Sequence, residues 1–505
     1  MTTFDYIVVG GGAAGAVVAA RLSEDPNITV GLIEAGPSDE NEPRALQLSR
    51  WFEMLEGEYD LDYVSVEQER GNSHIRQARA RILGGCASHN TMIAFKTPRE
   101  DLDSWVQAGA TGWDAETLHP YFDRLEVPIQ PVVPEQRNPF LADVTTAAQT
   151  ALGVPGVGDW NDGDLTTGAG FFPMAYDPAT GVRGSSSVWY LHPVMHVRDN
   201  LTVFLKTMAL SIIVDDSRAV GIEVRASDGS TFEISATREV ILACGAIDTP
   251  ALLIRSGIGR ASDIEALGLS PVIDLPGVGE NLMDHPEGLV IWESTAPMTD
   301  PRVSDWDAGI LARVDGENGF PDLMFHLPLM TFGVHAERLG YVLPENTISI
   351  TPNVPRPKSR GRVWLESADP DVAPKIDYRY FTDPAGYDEA MLLKGVELAR
   401  QIADTEPMKS WVVREVFPGP DVVGDELAEL VRRTNHTVYH VSGTCRMGSA
   451  DDPNAVVDPQ LRVRGVEGLR IADASVFPVL TTVNPMVTLY MLGERAADLI
   501  RQDSF

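Results

Sequence analysis

The stretch Phe4-Asp5-Tyr6-Ile7-Val8-Val9-Gly10-Gly11-Gly12-Ala13-Ala14-Gly15 decides the fold. Phe4–Val9 is a β-branched and aromatic run, the composition of a strand. Ala16–Leu22 continues beyond the glycines as a helix, and Ile28–Ile33 follows as a second strand, completing a βαβ unit. Gly10, Gly12 and Gly15 stand in the spacing GxGxxG. The first permits a tight turn, the second lets the backbone approach a pyrophosphate, and the third lets the helix pack closely on the strand. The helix start then offers unpaired N–H groups and a positive dipole end to the phosphates. Glu34 closes the second strand, where an acid bonds the adenosine ribose hydroxyls and disfavours a 2′-phosphate. The pattern specifies a dinucleotide and leaves NAD and FAD both open.

Outward from this unit, Val127–Pro139 is proline-rich and irregular, and Gly153–Gly184 reads as a second loop region. Leu201–Phe204 and Glu239–Ala243 are strand-like, and apolar residues alternate between Leu289 and Tyr378 as in an antiparallel sheet. Asp388–Ala403 and Asp425–Arg433 read as helices; the chain closes on a strand, Leu469–Ala472, and a helix, Val487–Arg501. With 505 residues the chain can bury a large core, organised as two domains built from separated pieces. Lys plus Arg number 40 against 73 Asp plus Glu, a net charge of −33. That balance argues against nucleic acid or an anionic membrane as a partner and favours a cationic small molecule. Cys86, Cys244 and Cys445 form no CxxC pair, so no metal site or redox dithiol is expected, and they read as buried apolar residues in a reducing compartment. Ile7–Ala20 lacks the basic leader of a signal peptide, and no apolar run is long enough for a transmembrane helix. The expected location is cytoplasmic, which makes the sequons at Asn27, Asn200 and Asn435 chance matches.

Four further segments settle the cofactor. They are Ala80-Arg81-Ile82-Leu83-Gly84-Gly85-Cys86-Ala87-Ser88-His89-Asn90; Gly245-Ala246-Ile247-Asp248-Thr249-Pro250 with Ser256-Gly257-Ile258-Gly259; Gly277-Val278-Gly279-Glu280-Asn281-Leu282-Met283-Asp284-His285-Pro286; and Leu469-Arg470-Ile471-Ala472-Asp473-Ala474-Ser475 with Thr482-Val483-Asn484-Pro485. In this order they resemble the signature segments of the glucose–methanol–choline (GMC) oxidoreductases. The resemblance implies FAD as cofactor. It implies an α/β Rossmann-like FAD-binding domain (residues 1–135, 196–287 and 437–505) and an α+β substrate domain with an antiparallel sheet (136–195 and 288–436).

Within the family the likeness is strongest to the choline-oxidising members, through Leu46–Trp51, Ser88–Asn90, Asp284–Gly288, Pro321–Met324 leading to His326, Tyr380–Pro384, and Asn435 with Thr437–His440. It implies that His89 carries FAD covalently and that Gly10, Gly12, Gly15, Glu34, Asn90, Thr91, Ala209 and Asp473 contact it. His440 and Asn484 fall on the catalytic pair, and His326 on a histidine of the substrate pocket. Glu287 falls on the carboxylate facing an ammonium group, Trp51, Trp306, Phe332 and Tyr439 on the aromatic lining, and Val438 on a valine where oxygen reacts. The chain departs from the pattern at Thr91, at Val441, around His326 (Phe325 and Leu327–Met330) and in a shorter segment after Leu125.

These residue types suit alcohol oxidation. A flavin accepts the hydride, which no side chain can do. An imidazole at His440 takes or shares the hydroxyl proton, and an Asn484 amide bonds the same oxygen; donors aimed at a developing oxyanion are worth about 3–4 kcal/mol. Aromatic faces attract a quaternary ammonium by about 0.5–2 kcal/mol per contact, and a carboxylate adds Coulomb attraction where water is excluded. The resemblance implies choline to betaine aldehyde and on to glycine betaine, with molecular oxygen reduced to hydrogen peroxide by a homodimeric enzyme. Another primary alcohol, another electron acceptor, or a redox-neutral flavin lyase are the alternatives.

Overall fold

The computed structural model describes residues 2–314 and 320–503. Its first sheet has seven strands built around Thr2–Val9, which pairs in parallel with Val30–Ile33 on one side and Thr231–Leu242 on the other. Leu201–Phe204 extends the parallel edge beyond Val30–Ile33. The free flank of the long strand Thr231–Leu242 is shared: its first half continues the antiparallel hairpin Thr207–Asp215 and Arg218–Ala226, and its last residues pair in parallel with Leu469–Ile471. Parallel strands covered by helices are buried on both faces and read as apolar runs; Val30–Ile33 is fully buried. The sequence reading found the buried end of the long strand and missed the hairpin, whose residues are largely half-buried.

The glycine turn leads into the helix Ala13–Leu22, which packs against the C-terminal helix Met486–Gln502. Gly10 has φ +103°, and a Cβ there would lie 2.4 Å from Ala243 O. A Cβ on Gly15 would lie 2.0 Å from Gly10 O, so helix and turn meet at a distance only glycine allows.

The second sheet has eight strands, with Val412–Phe417, Val290–Ser294, Thr347–Asn353, Leu323–His326, Ala308–Ala312 and Gly168–Phe171 in that order. The short strand Pro286–Glu287 joins it, pairing with Asn353 on one side and with His436–Thr437 on the other. All these pairings are antiparallel. Gly361–Trp364 and Lys375–Asp377, expected in this sheet, instead form a three-stranded sheet with Glu280–Leu282.

One stretch left unassigned and one read as a loop are structured. Pro139–Leu152 is a helix: Asn138 accepts from Phe140 N–H at 2.9 Å, Pro139 occupies the first turn, and Gly153 caps the end at φ +66°. Proline suits the first turn because its missing N–H has no intrahelical partner there. Gly168–Phe171 is an edge strand whose glycines hid its pattern. Cys445 is buried as expected, but Cys86 and Cys244 are only half-buried. Among the described residues no helix is long and apolar enough to cross a membrane.

Candidate active site

One cavity of about 530 Å³ runs from the glycine turn to the second sheet. At its nucleotide end lie Gly10, Gly12, Glu34 and Ala209, and at the far end Glu287, His326, Trp306 and Phe332. His89, Asn90, Thr91, Val438, Tyr439, His440, Asp473, Asn484 and Trp51 line the stretch between or beside them. Of the residues expected to touch the cofactor, Gly15 alone is off the lining, where it seats the helix. Cys86 and Cys244 line the cavity, which explains their partial exposure.

At the nucleotide end, a Cβ on Gly12 would find its nearest neighbour only at 3.9 Å, so the backbone borders open space. Glu34 accepts from Gly11 N–H at 2.9 Å and Gly36 N–H at 2.7 Å, and burial lifts its pKa to about 7 against those bonds. Asp473 accepts from Gly245 N–H, the Thr249 hydroxyl and Ser475 N–H at 2.9, 2.6 and 2.8 Å. It therefore also braces the start of the helix Gly245–Arg255.

His89 follows the short helical turn Gly85–Ser88 and is 5% exposed. Neither ring nitrogen has a partner among the described residues. Burial pulls its pKa to about 4, which keeps the ring neutral. The loop is held from behind by the buried Arg183, whose Nη1 donates to Ala87 O at 3.2 Å and Asn90 O at 2.9 Å.

The catalytic candidates meet. Asn484 Nδ2 is 3.3 Å from His440 Nε2. Tyr439 adopts φ +65°, a left-handed conformation uncommon outside glycine. Hydrogen bonds hold it there: Tyr439 N–H to Thr437 Oγ1 at 2.7 Å, Arg79 Nη2 to Tyr439 O at 2.8 Å, and His440 N–H to Asp284 Oδ1 at 2.7 Å. The other Asp284 oxygen accepts from the Thr437 and Tyr380 hydroxyls. Buried Asp284, whose pKa burial raises to about 6, thus anchors the turn that aims the imidazole.

His285 fixes the tautomer. Its Nε2 lies 3.0 Å from Thr481 O, and a carbonyl only accepts, so Nε2 carries the hydrogen. Burial drives the His285 pKa to about 3, so the ring is neutral and Nδ1 is an acceptor. Nδ1 of His440 lies 2.9 Å away and must donate to it. Neutral His440 therefore turns its Nε2 lone pair toward Asn484. Burial, then His285, His326 and Arg79, hold the His440 pKa well below its ordinary value, which favours this neutral base.

At the far end, His326 Nδ1 lies 2.9 Å from Glu287 Oε1 and so carries the hydrogen; its Nε2 is buried with no partner among the described residues. Trp51 and Trp306 meet edge to face at 5.3 Å between centroids, and Trp306 meets Phe332 at 6.4 Å.

Models of the GMC oxidoreductase family match residues 4–287 and 357–493. The chain belongs to the GMC oxidoreductases. This GMC oxidoreductase is 45% identical to choline oxidase of Arthrobacter globiformis, over 99% of its own length and 94% of the relative's. It is 33% identical to the oxygen-dependent choline dehydrogenase of Brucella ovis, covering 98% and 95% of the two chains. The crystal structure of pyridoxine 4-oxidase from Mesorbium loti superposes with a TM-score of 0.90 at 27% identity, covering 98% of both chains. The chain is an FAD-dependent enzyme that oxidises an alcohol. The cavity fits FAD: its glycine turn leaves the room a pyrophosphate needs, and a neutral histidine with no partner among the described residues lines it.

The sequence reading gave no role to His285, Asp284, Arg79, Asn353 or His436. Asp284-His285 stands immediately before Pro286-Glu287 in a segment already singled out, so proximity to a site was legible there. His436 and Asn353 join the site only through strand pairing with Glu287, which one sequence does not display.

Proposed function

We propose that this GMC oxidoreductase oxidises choline to betaine aldehyde and on to glycine betaine, with oxygen as acceptor. The observation that carries the reading is one cavity presenting the His440–Asn484 pair together with Glu287 among Trp51, Trp306, Phe332 and Tyr439. A carboxylate among aromatic faces suits a cationic head group and is wasted on a plain alcohol. The choline-oxidising relatives support the same class. Residues 1–135, 196–287 and 437–505 would hold the cofactor, and 136–195 and 288–436 would shape the substrate site.

Glu287 and the rings hold the ammonium, leaving the hydroxyl near His440 and Asn484. His440 takes the hydroxyl proton at Nε2 and keeps its Nδ1–H on His285. The resulting imidazolium and the Asn484 amide hold the alkoxide oxygen, which favours departure of hydride from the adjacent carbon. Bound FAD supplies the hydride acceptor and, through oxygen, the route to hydrogen peroxide. The aldehyde hydrate again offers a hydroxyl to the same two groups, so a second oxidation needs no new residue. His89 is the attachment point for covalent FAD, and Val438 and Thr91 border the path of oxygen.

The test is anaerobic mixing with choline and with hexanol while flavin absorbance is followed. Bleaching by choline at far lower concentration than hexanol is expected; equal response to both would remove the cationic reading.

A further inference from the structure

Glu287 and His436 sit directly opposite one another in the antiparallel pair of Pro286–Glu287 with His436–Thr437. Residues so opposed carry their Cβ atoms on one face, about 4.5–5.5 Å apart. Both side chains line the cavity. Glu287 gives Oε1 to His326, and among the described residues Oε2 has no hydrogen-bond partner. His436 Nδ1 is 2.7 Å from Thr437 O, so Nδ1 carries the hydrogen. Burial lowers the His436 pKa, against a smaller pull from Glu287, and in the neutral ring Nε2 is an acceptor. The ring packs on His335, Phe332 and Tyr439 with centroids at 4.9, 5.1 and 5.4 Å. That packing needs an aromatic ring; it does not use Nε2.

Two acceptor-bearing side chains on paired strands therefore border the cavity where a cation is to be held. A quaternary ammonium offers acceptors only methyl groups, whereas a protonated amine offers an N–H.

We propose that His436 is a specificity residue that reads an N–H, so that the preferred substrates are primary alcohols whose cationic nitrogen is a protonated amine held between the Glu287 carboxylate and His436 Nε2. This rests on the reading of Glu287 as the cation-binding group, and it adds a class of substrate that an aromatic cage alone would not favour.

The experiment compares kcat/KM of the flavin-loaded enzyme for N,N-dimethylethanolamine, choline and 3,3-dimethylbutan-1-ol, at a pH where both amines are charged. The expected order is tertiary amine over choline by about 10-fold or more, the scale of one hydrogen bond to a charged group, and both over the uncharged alcohol. His436→Phe, which keeps the ring packing, is expected to bring the first ratio to about one, with wild-type flavin content reporting an intact fold. His436→Gln, which keeps an acceptor, is expected to restore part of the preference. Cations preferred over the neutral alcohol with choline equal to or better than the tertiary amine would overturn this proposal alone. Indifference to charge would overturn it together with the Glu287 reading. A tertiary-amine preference that survives His436→Phe would also overturn it.

Discussion

Replacing His285 by Phe tests the tautomer argument with little change of shape. The ring that meets His440 edge to face at 5.0 Å is kept, and the two nitrogens that bridge Thr481 O and His440 Nδ1 are removed. The buried Nδ1–H of His440 then loses its acceptor, which costs about 1–3 kcal/mol for an unsatisfied buried donor. The cost is relieved if the proton moves to Nε2, but that tautomer cannot accept the hydroxyl proton. At about 1.4 kcal/mol per factor of ten, the rate of flavin reduction should fall about 5- to 150-fold. His285 does not line the cavity, so KM should change little. The pH profile gives a second readout. The active base is the neutral form, so the rate rises with pH through the His440 pKa and is level above it. Burial is the largest cause of the low His440 pKa and His285 the next. Repulsion from His285 acts only when both rings are protonated; the neutral ring's Nδ1 instead favours the His440 imidazolium, so its removal should move the acidic limb to lower pH. Stopped-flow reduction by choline across pH, at matched flavin content, measures both effects. A rate within about two-fold of wild type with an unmoved limb would refute the relay from Thr481 through His285 to His440.

Glu287→Gln should raise KM for choline about 10- to 100-fold, since it removes a carboxylate–cation attraction worth up to about 4 kcal/mol at close range, and should leave KM for hexanol nearly unchanged; steady-state kinetics with both alcohols checks this. His89→Ala should leave a protein whose yellow colour separates from the polypeptide on acid denaturation, whereas the wild type keeps it. Gly15→Ala should yield protein without flavin, because its Cβ would fall 2.0 Å from Gly10 O and displace the turn; absorbance of the purified variant reports it.

The nucleotide half of the site was legible because its chemistry is local. One turn supplies the glycines, and Glu34 ends the adjacent strand Val30–Ile33, so spacing along the chain is spacing in the molecule. The parallel core strands were legible as apolar runs, and the long helices by their period. The edge strand Gly168–Phe171 was not, because glycine replaces side chains where another segment comes close: a Cβ on Gly170 would lie 2.4 Å from Val157 O. The helix Pro139–Leu152 was hidden by the prolines before it, one of which begins it. At the substrate end, family resemblance named His326 and Glu287. Their hydrogen bond depends on register, because Glu287 pairs with Asn353 and Asn353 pairs with Met324, two residues before His326.

The two ends of the site make opposing electrostatic demands. A base at His440 has to stay neutral, which burial and cationic or imidazole neighbours secure. A cation-binding end needs a carboxylate, and a carboxylate against His440 would raise its pKa and leave it protonated. The fold separates them with His326. That ring takes the Glu287 carboxylate on Nδ1 at 2.9 Å, while its electrostatic effect on His440 is to lower the pKa. Glu287 acts instead on His436, where burial outweighs it. His326 thus does more than border the substrate: it lets a negative charge and a neutral base share one water-excluding cavity. Exchanging it for Gln, which keeps a donor for Glu287 but carries no titratable ring, should move the acidic limb of the pH profile upward more than it changes KM for choline. A change confined to KM would show instead that His326 only positions the substrate.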